Sequence, residues 1–196
     1  TRRACVPSWF SRKRLMNVWY SLSDIPGNEA SVVTIGNFDG MHNGHKKVIS
    51  TCIERAHKLG VDAVAITFDP HPIQVHKPEV GLQLISPLRD RLDAMAAAGL
   101  DATLVAHYDA SVYSLEAEEF VYEYLVERCG AREVVVGEDF RFGRGNAGTI
   151  DTLRELGRRY GFNVITVTDI EAPEGRRWSS SWVRELLAAG DVAGAA

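Results

Sequence analysis

The chain has 196 residues, 45% apolar and 24% charged, with a formal net charge of −4, the profile of a globular domain with room for a substantial core. No apolar run approaches the ~20 residues of a membrane helix. Three scattered cysteines, Cys5, Cys52 and Cys129, suit a reducing, cytoplasmic setting better than a disulfide framework or a zinc site.

Residues 1–15 carry five basic residues (Arg2, Arg3, Arg12, Lys13, Arg14) and no acid. Without them 17 basic residues face 26 acidic ones, a net −9, which argues against a nucleic-acid partner. The segment lacks the apolar stretch of a signal peptide and reads as a disordered upstream extension or expression remnant, with a basic recruitment tail as the alternative. Residues 16–196 read as one domain.

Met16 opens a strand-like segment, and Val32–Ile35 is a buried strand. From His45 to Leu59 the apolar residues Val48, Ile49, Cys52, Ile53, Ala56 and Leu59 recur at helical spacing. Ala63–Phe68 is a second buried strand, residues 73–85 are irregular, and Pro87–Ala98 is a helix stopped by Gly99. The strand Ala102–Ala106 precedes a helix over Glu116–Cys129, and the strand Glu133–Val136 precedes one over Ile150–Tyr160. The strand Val164–Val167 and a helix over Ser181–Ala189 complete the pattern. Continuously apolar strands alternating with helices predict an α/β fold, a Rossmann-like doubly wound parallel sheet of about five strands. In such sheets ligands sit beyond the carboxyl ends of the strands. The chemically unusual stretches GNFDGMHNGH, DPHP, GEDFRFGRGNAG and GRRWSSSWVR all follow strand ends.

His42 and His45 fall where a strand hands over to a helix, a place where free N–H groups and the helix dipole favour anions. Two imidazoles at this spacing bracket a phosphate, and Gly36, Gly40 and Gly44 leave room and allow turning. The rival readings are a pair of solvent-facing turn histidines or half of a metal site, for which Asp39 alone is a meagre complement. Three serines before the last helix exceed what capping needs. Ser180 and Ser181 with the helix N–H groups form a candidate anion cradle flanked by Arg177 and Arg184; a polar helix start with surface arginines is the bland alternative. Asp139 stands just past a strand as a possible acceptor. Phe140 and Phe142 offer ring faces, one of them expected in the core, and Trp178 and Trp182 read as packing residues.

The blocks GNFDGMHNGHKKVI, TFDPHP, VVVGEDFRFGRGNAGT and SSSWVRELLAAGDV, in that order, resemble the FMN adenylyltransferase module of bacterial bifunctional riboflavin kinase/FAD synthetases, within the HxGH nucleotidyltransferase superfamily. The resemblance implies transfer of AMP from ATP to FMN, giving FAD and pyrophosphate, with Mg2+ held mainly through phosphates and no metal site on the protein. It assigns His42, His45, Ser181 and Arg184 to catalysis. It assigns Gly36, Phe38, Gly44, Asp139, Arg177 and Ser180 to ATP, and Asp69, Pro70, His71, Pro72 and Phe142 to FMN. Ser181 stands where the family usually has Thr, Trp178 where it has a small aliphatic, and His76 where an aromatic often covers the flavin. Family members usually continue into a riboflavin kinase domain. The chain stops far short of the ~100 residues that needs, so kinase activity is not expected of this chain, whether an excised module or a single-function protein. The competing functions are a sister nucleotidyltransferase with another phosphate acceptor, a flavin- or nucleotide-binding module without catalysis, and a metal-dependent hydrolase.

Overall fold

The structure, a computed structural model, describes residues 15–27, 29–168 and 175–195. The extension read over residues 1–15 therefore lies, apart from Leu15, outside the described residues. The described strands form one sheet in which every pairing is parallel: β1 (Asn17–Trp19), β2 (Ser31–Ile35), β3 (Asp62–Asp69), β4 (Ala102–His107), β5 (Ala131–Gly137) and β6 (Asn163–Val167), in the order β1-β4-β3-β2-β5-β6. The sheet has six strands where about five were expected, the extra one being the short edge strand β1 in the segment that Met16 opens.

Successive side chains on a strand point to opposite faces, so each strand feeds two cores. Val32, Ala63, Ala65 and Val135 pack against Ile49, Cys52 and Ala56 of α1 (Asn43–Leu59). Short α2 (Pro72–His76) follows β3, and α3 (Leu88–Ala98) adds Met95 to that same core. On the other face Val33, Ile66, Leu104 and Val134 meet Phe120, Val121 and Leu125. These belong to the segment after α4 (Ala110–Tyr113), in which α5 (Ala117–Phe120) continues as a π-helical stretch (Val121–Arg128), and α6 (Ile150–Tyr160) adds Leu153 and Leu156. The chain closes with α7 (Ser180–Ala188) and α8 (Val192–Ala195).

Residues 73–85 are not wholly irregular. The His71 ring accepts a hydrogen bond from Ile73 N at 3.2 Å and so starts α2, and a 3-10 turn follows at Pro78–Val80. A side-chain cap made by histidine carries no strong sequence signature, unlike Ser, Thr, Asp or Asn. Strand order departs in opposite directions from β2: β3 and β4 lie to one side, β5 and β6 to the other. The crevice at such a switch point is where open parallel sheets bind ligands.

Candidate active site

The first cleft, about 290 Å³, opens at that switch point, beyond the ends of β2, β5 and β6. The β2–α1 loop enters it along an unusual path: Phe38 and Met41 hold φ of 52° and 41°, a region that costs a residue with a side chain about 1 kcal/mol or more. The path tucks Phe38 into the core at 1% exposure, with its ring edge-on to His45 at 5.4 Å. His42 is the N-cap of α1 but makes no side-chain cap, which leaves the first amides of the helix available to an anion. The two imidazoles stack with centroids 3.7 Å apart. Gly44 between them leaves the His42 ring its place, because a Cβ at that position would lie 3.1 Å from it and press it aside by a few tenths of an ångström.

Both histidines are poor bases. Burial, then the Arg177 charge, lowers His42 to about 4; burial, then His42 itself, lowers His45 to about 3. Each has a buried Nδ1 without a hydrogen-bond partner. Buried polar atoms normally have one, so this pair is poised for an acceptor that brings negative charge. From the opposite wall, Arg177 pairs with Asp139 at 2.6 Å, a half-exposed ion pair weak enough for a phosphate to displace. Ser179 caps α7 by accepting from Trp182 N at 3.2 Å, one or two residues earlier than the serine run suggests, and Ser180 lines the cleft beside it.

The structure thus brings together His42, His45, Gly36, Phe38, Gly44, Asp139, Arg177 and Ser180. Ser181 is exposed and does not line the cleft. Arg184 points elsewhere: its Nη2 contacts Asp39 at 2.5 Å and its Nε donates to the Gln83 carbonyl at 2.8 Å. Asp39, weighed in the sequence as a weak metal ligand, is buried and accepts from the Ile85 and Ser86 amides. Trp178 packs on Trp182 at 4.6 Å between ring centres, as its packing role predicts, and also lines the cleft.

A second cavity, about 310 Å³, adjoins the first and shares Ile35, Gly36 and Phe140 with it. Its walls are aromatic: Phe68, Tyr108, Tyr113, Phe120 and Phe142. Phe142 is in the core, as expected for one of the two loop phenylalanines, and stacks on Phe140 at 5.4 Å. Of the residues assigned to FMN, Pro72 and Phe142 line this cavity. Asp69, Pro70 and His71 line neither cleft. Asp69 pairs with the fully buried Arg91 at 3.2 Å, and the His71 ring caps α2. His76 meets Tyr108 Oη at 2.9 Å and Tyr113 edge-on at 5.0 Å, forming part of an outer aromatic wall. Tyr108, Tyr113 and Phe120 were missed because they come from separate segments. The one local signal was the position of Tyr108, just past the end of β4.

The sequence profile of the FAD synthetase family matches residues 24–182. The chain belongs to that family. A protein of Geobacillus thermodenitrificans named "Putative bifunctional riboflavin kinase/FMN adenylyltransferase" is 38% identical over 85% of this chain and 86% of its own length. The bifunctional riboflavin kinase/FMN adenylyltransferases of Pseudomonas fluorescens and Escherichia coli are 37% and 33% identical over 85% and 92% of the chain. The chain spans only 53% and 57% of those two, about half their length.

Among solved structures, a protein described as a macrolide-efflux protein of Streptococcus pneumoniae superposes with TM-score 0.79 at 27% identity, covering 92% of this chain and 59% of that one. Among the described residues no helix is long and apolar enough to cross a membrane. Pantothenate synthetase of Thermus thermophilus shares the fold, with TM-score 0.54 at 15% identity over 92% of this chain and 79% of that one. Family membership and the cleft geometry agree with the Rossmann-like, nucleotidyltransferase-type fold read from the sequence.

Proposed function

We propose that this member of the FAD synthetase family is an FMN adenylyltransferase. An oxygen of the FMN phosphate attacks the α-phosphorus of ATP in line, a new P–O bond forms, the bond to the β-phosphate oxygen breaks, and pyrophosphate leaves. The observation that carries the reading is the pairing of two adjoining cavities: one lined by hydrogen-bond donors at two helix starts, the other by aromatic rings, with a shared wall of Ile35, Gly36 and Phe140. A triphosphate suits the first through fixed donors and helix dipoles, and a planar ring system suits the second.

In this reading the neutral His42 and His45 each direct an N–H at the α- and β-phosphates, and bound phosphate charge draws their pKa values upward. Arg177 exchanges Asp139 for the leaving pyrophosphate. Because such transfers depend on position and charge neutralisation, no side chain needs to act as nucleophile. Mg2+ belongs to the reading as a passenger on the nucleotide, where it would neutralise phosphate charge. Asp139 is the one carboxylate among the described residues lining the cleft, and none of them form a group of three or more His, Cys, Asp or Glu suited to an ion. Phosphate oxygens would therefore hold it, and no step is assigned to it. The proposal includes a cytoplasmic location and, from the names of the relatives and the greater length of those from Pseudomonas fluorescens and Escherichia coli, a riboflavin kinase domain in the parent protein.

The test is pyrophosphate release with ATP and Mg2+, with FMN, phosphopantetheine and nicotinate mononucleotide offered in parallel and the products chromatographed. FAD from FMN alone is expected. Turnover with another acceptor would replace FMN by that acceptor, and tight FMN binding without pyrophosphate release would leave a binding module.

A further inference from the structure

Asp39 lines neither cavity, but the residue before it, Phe38, lines the first and Asn37 lines the second. Its side chain is 1% exposed. Oδ1 accepts from Ile85 N and Ser86 N, both at 3.0 Å, and Oδ2 accepts from Arg184 Nη2 at 2.5 Å. Its main-chain carbonyl accepts from Ser180 Oγ at 2.9 Å. The next amide, Gly40 N, donates to Ser86 Oγ at 3.0 Å. Three segments therefore converge on one residue: the loop that presents the histidines, residues 83–86 beyond α2, and the first turns of α7. The Asp39 charge also acts on His42 in the first cleft and on His71 at the start of α2, raising both against the burial that lowers them.

A buried carboxylate paired with a guanidinium is expensive to separate from it, so Arg184 is held where it is. Two arms of its guanidinium fork already serve internal acceptors, Asp39 and the Gln83 carbonyl. We propose that Asp39 is a positioning residue for adenylyl transfer: through Arg184, Ser86 and Ser180 it locks the nucleotide cleft to the segment that follows the flavin-side loop, and Arg184 acts through Asp39 rather than on the triphosphate. The inference rests on the adenylyltransferase reading above. It makes the two substrate sites one mechanical unit, so loosening Asp39 disturbs both.

The experiment measures FAD formation, with separate KM values for ATP and FMN, in the parent protein, Asp39→Asn, Arg184→Met, Arg184→Lys and the Asp39→Asn/Arg184→Met pair, alongside Tm. Asp39→Asn and Arg184→Met are each expected to raise KM for both substrates, on the order of tenfold to a hundredfold, as loss of a charged hydrogen bond does. The pair is expected to be no worse than the worse single variant, because contacting residues are not additive. Arg184→Lys, which returns a charge to Asp39, recovers part of the loss. A merely structural role would lower Tm and leave both KM values in place.

Abolished turnover in Arg184→Met with normal constants in Asp39→Asn, or losses that multiply in the pair, overturns the proposal in favour of direct triphosphate contact. Should Asp39→Asn not fold, Ser86→Ala takes its place; both KM values rise if the proposal holds, and unchanged constants overturn it. Absence of FAD from the parent protein defeats the adenylyltransferase reading and this inference with it. FAD from the parent with unchanged variants defeats this inference alone.

Discussion

The two cavities are almost equal in size and are built on opposite plans. The donor-lined cleft draws most of its chemistry from one short loop and two helix starts, so residues three apart in sequence do the same work. The aromatic cavity collects rings from β3, the β4–α4 region, α5 and the loop after β5. An anion site can be local because a helix start already supplies dipole and amides, whereas a slot for a planar ring must be walled from several directions.

Removing a donor and removing a ring should therefore fail differently. His45→Ala should lower kcat by ~10²–10³, about 3–4 kcal/mol, as loss of a transition-state donor does, while Tm stays level or rises because a buried unpartnered nitrogen is gone. Steady-state kinetics with a melting curve checks it, and near-normal turnover would remove His45 from the chemistry. Phe142→Ala should cost about 3 kcal/mol of stability, the usual loss for a buried ring. Chemical denaturation measures that loss. The KM for FMN should rise while that for ATP holds, and equal rises in both would erase the distinction between the cavities.

Acidification probes the buried histidines, His42 and His45 on the donor side and His71 at the start of α2. An unfolded histidine titrates near 6.5, while folded His42 titrates at about 4, so the unfolded chain takes up the proton first as pH falls. Stability from this group is present above 6.5 and is lost between there and about 4, a loss of about 2 kcal/mol between pH 7 and pH 5. Denaturation of the parent and of His42→Asn at both pH values should show a shallower slope in the variant. A parallel slope would mean that His42 is not held neutral. The smallest effect is expected from Tyr108→Phe, which removes the hydrogen bond to His76 and should change KM for FMN by a few-fold, under about 1 kcal/mol, leaving ATP constants alone.

The same contrast explains what the sequence made legible. The βα alternation, the buried strands and the histidine loop follow from local periodicity and local turn chemistry, and the structure carries them. The family resemblance gives Arg184 to the triphosphate and Asp69 to the flavin. In the structure each belongs to an ion pair whose other half, Asp39 or Arg91, comes from a separate segment of the chain. A fully buried arginine inside the pattern LRDRLDAM looks like any surface helix charge until the fold encloses it. The π-helical turn of Val121–Arg128 and the histidine cap of α2 were likewise invisible, since both depend on how neighbouring segments press on the backbone.

The wall of Ile35, Gly36 and Phe140 between the cavities has an evolutionary consequence. A change of acceptor that needs more room at Phe140 also alters the nucleotide cleft, so drift at that ring is penalised twice. Tyr113 and Phe120 border the aromatic cavity, proposed for the acceptor, and not the donor-lined cleft. New acceptors should be sought first by varying those two positions, where selectivity can wander while the handling of ATP is inherited intact.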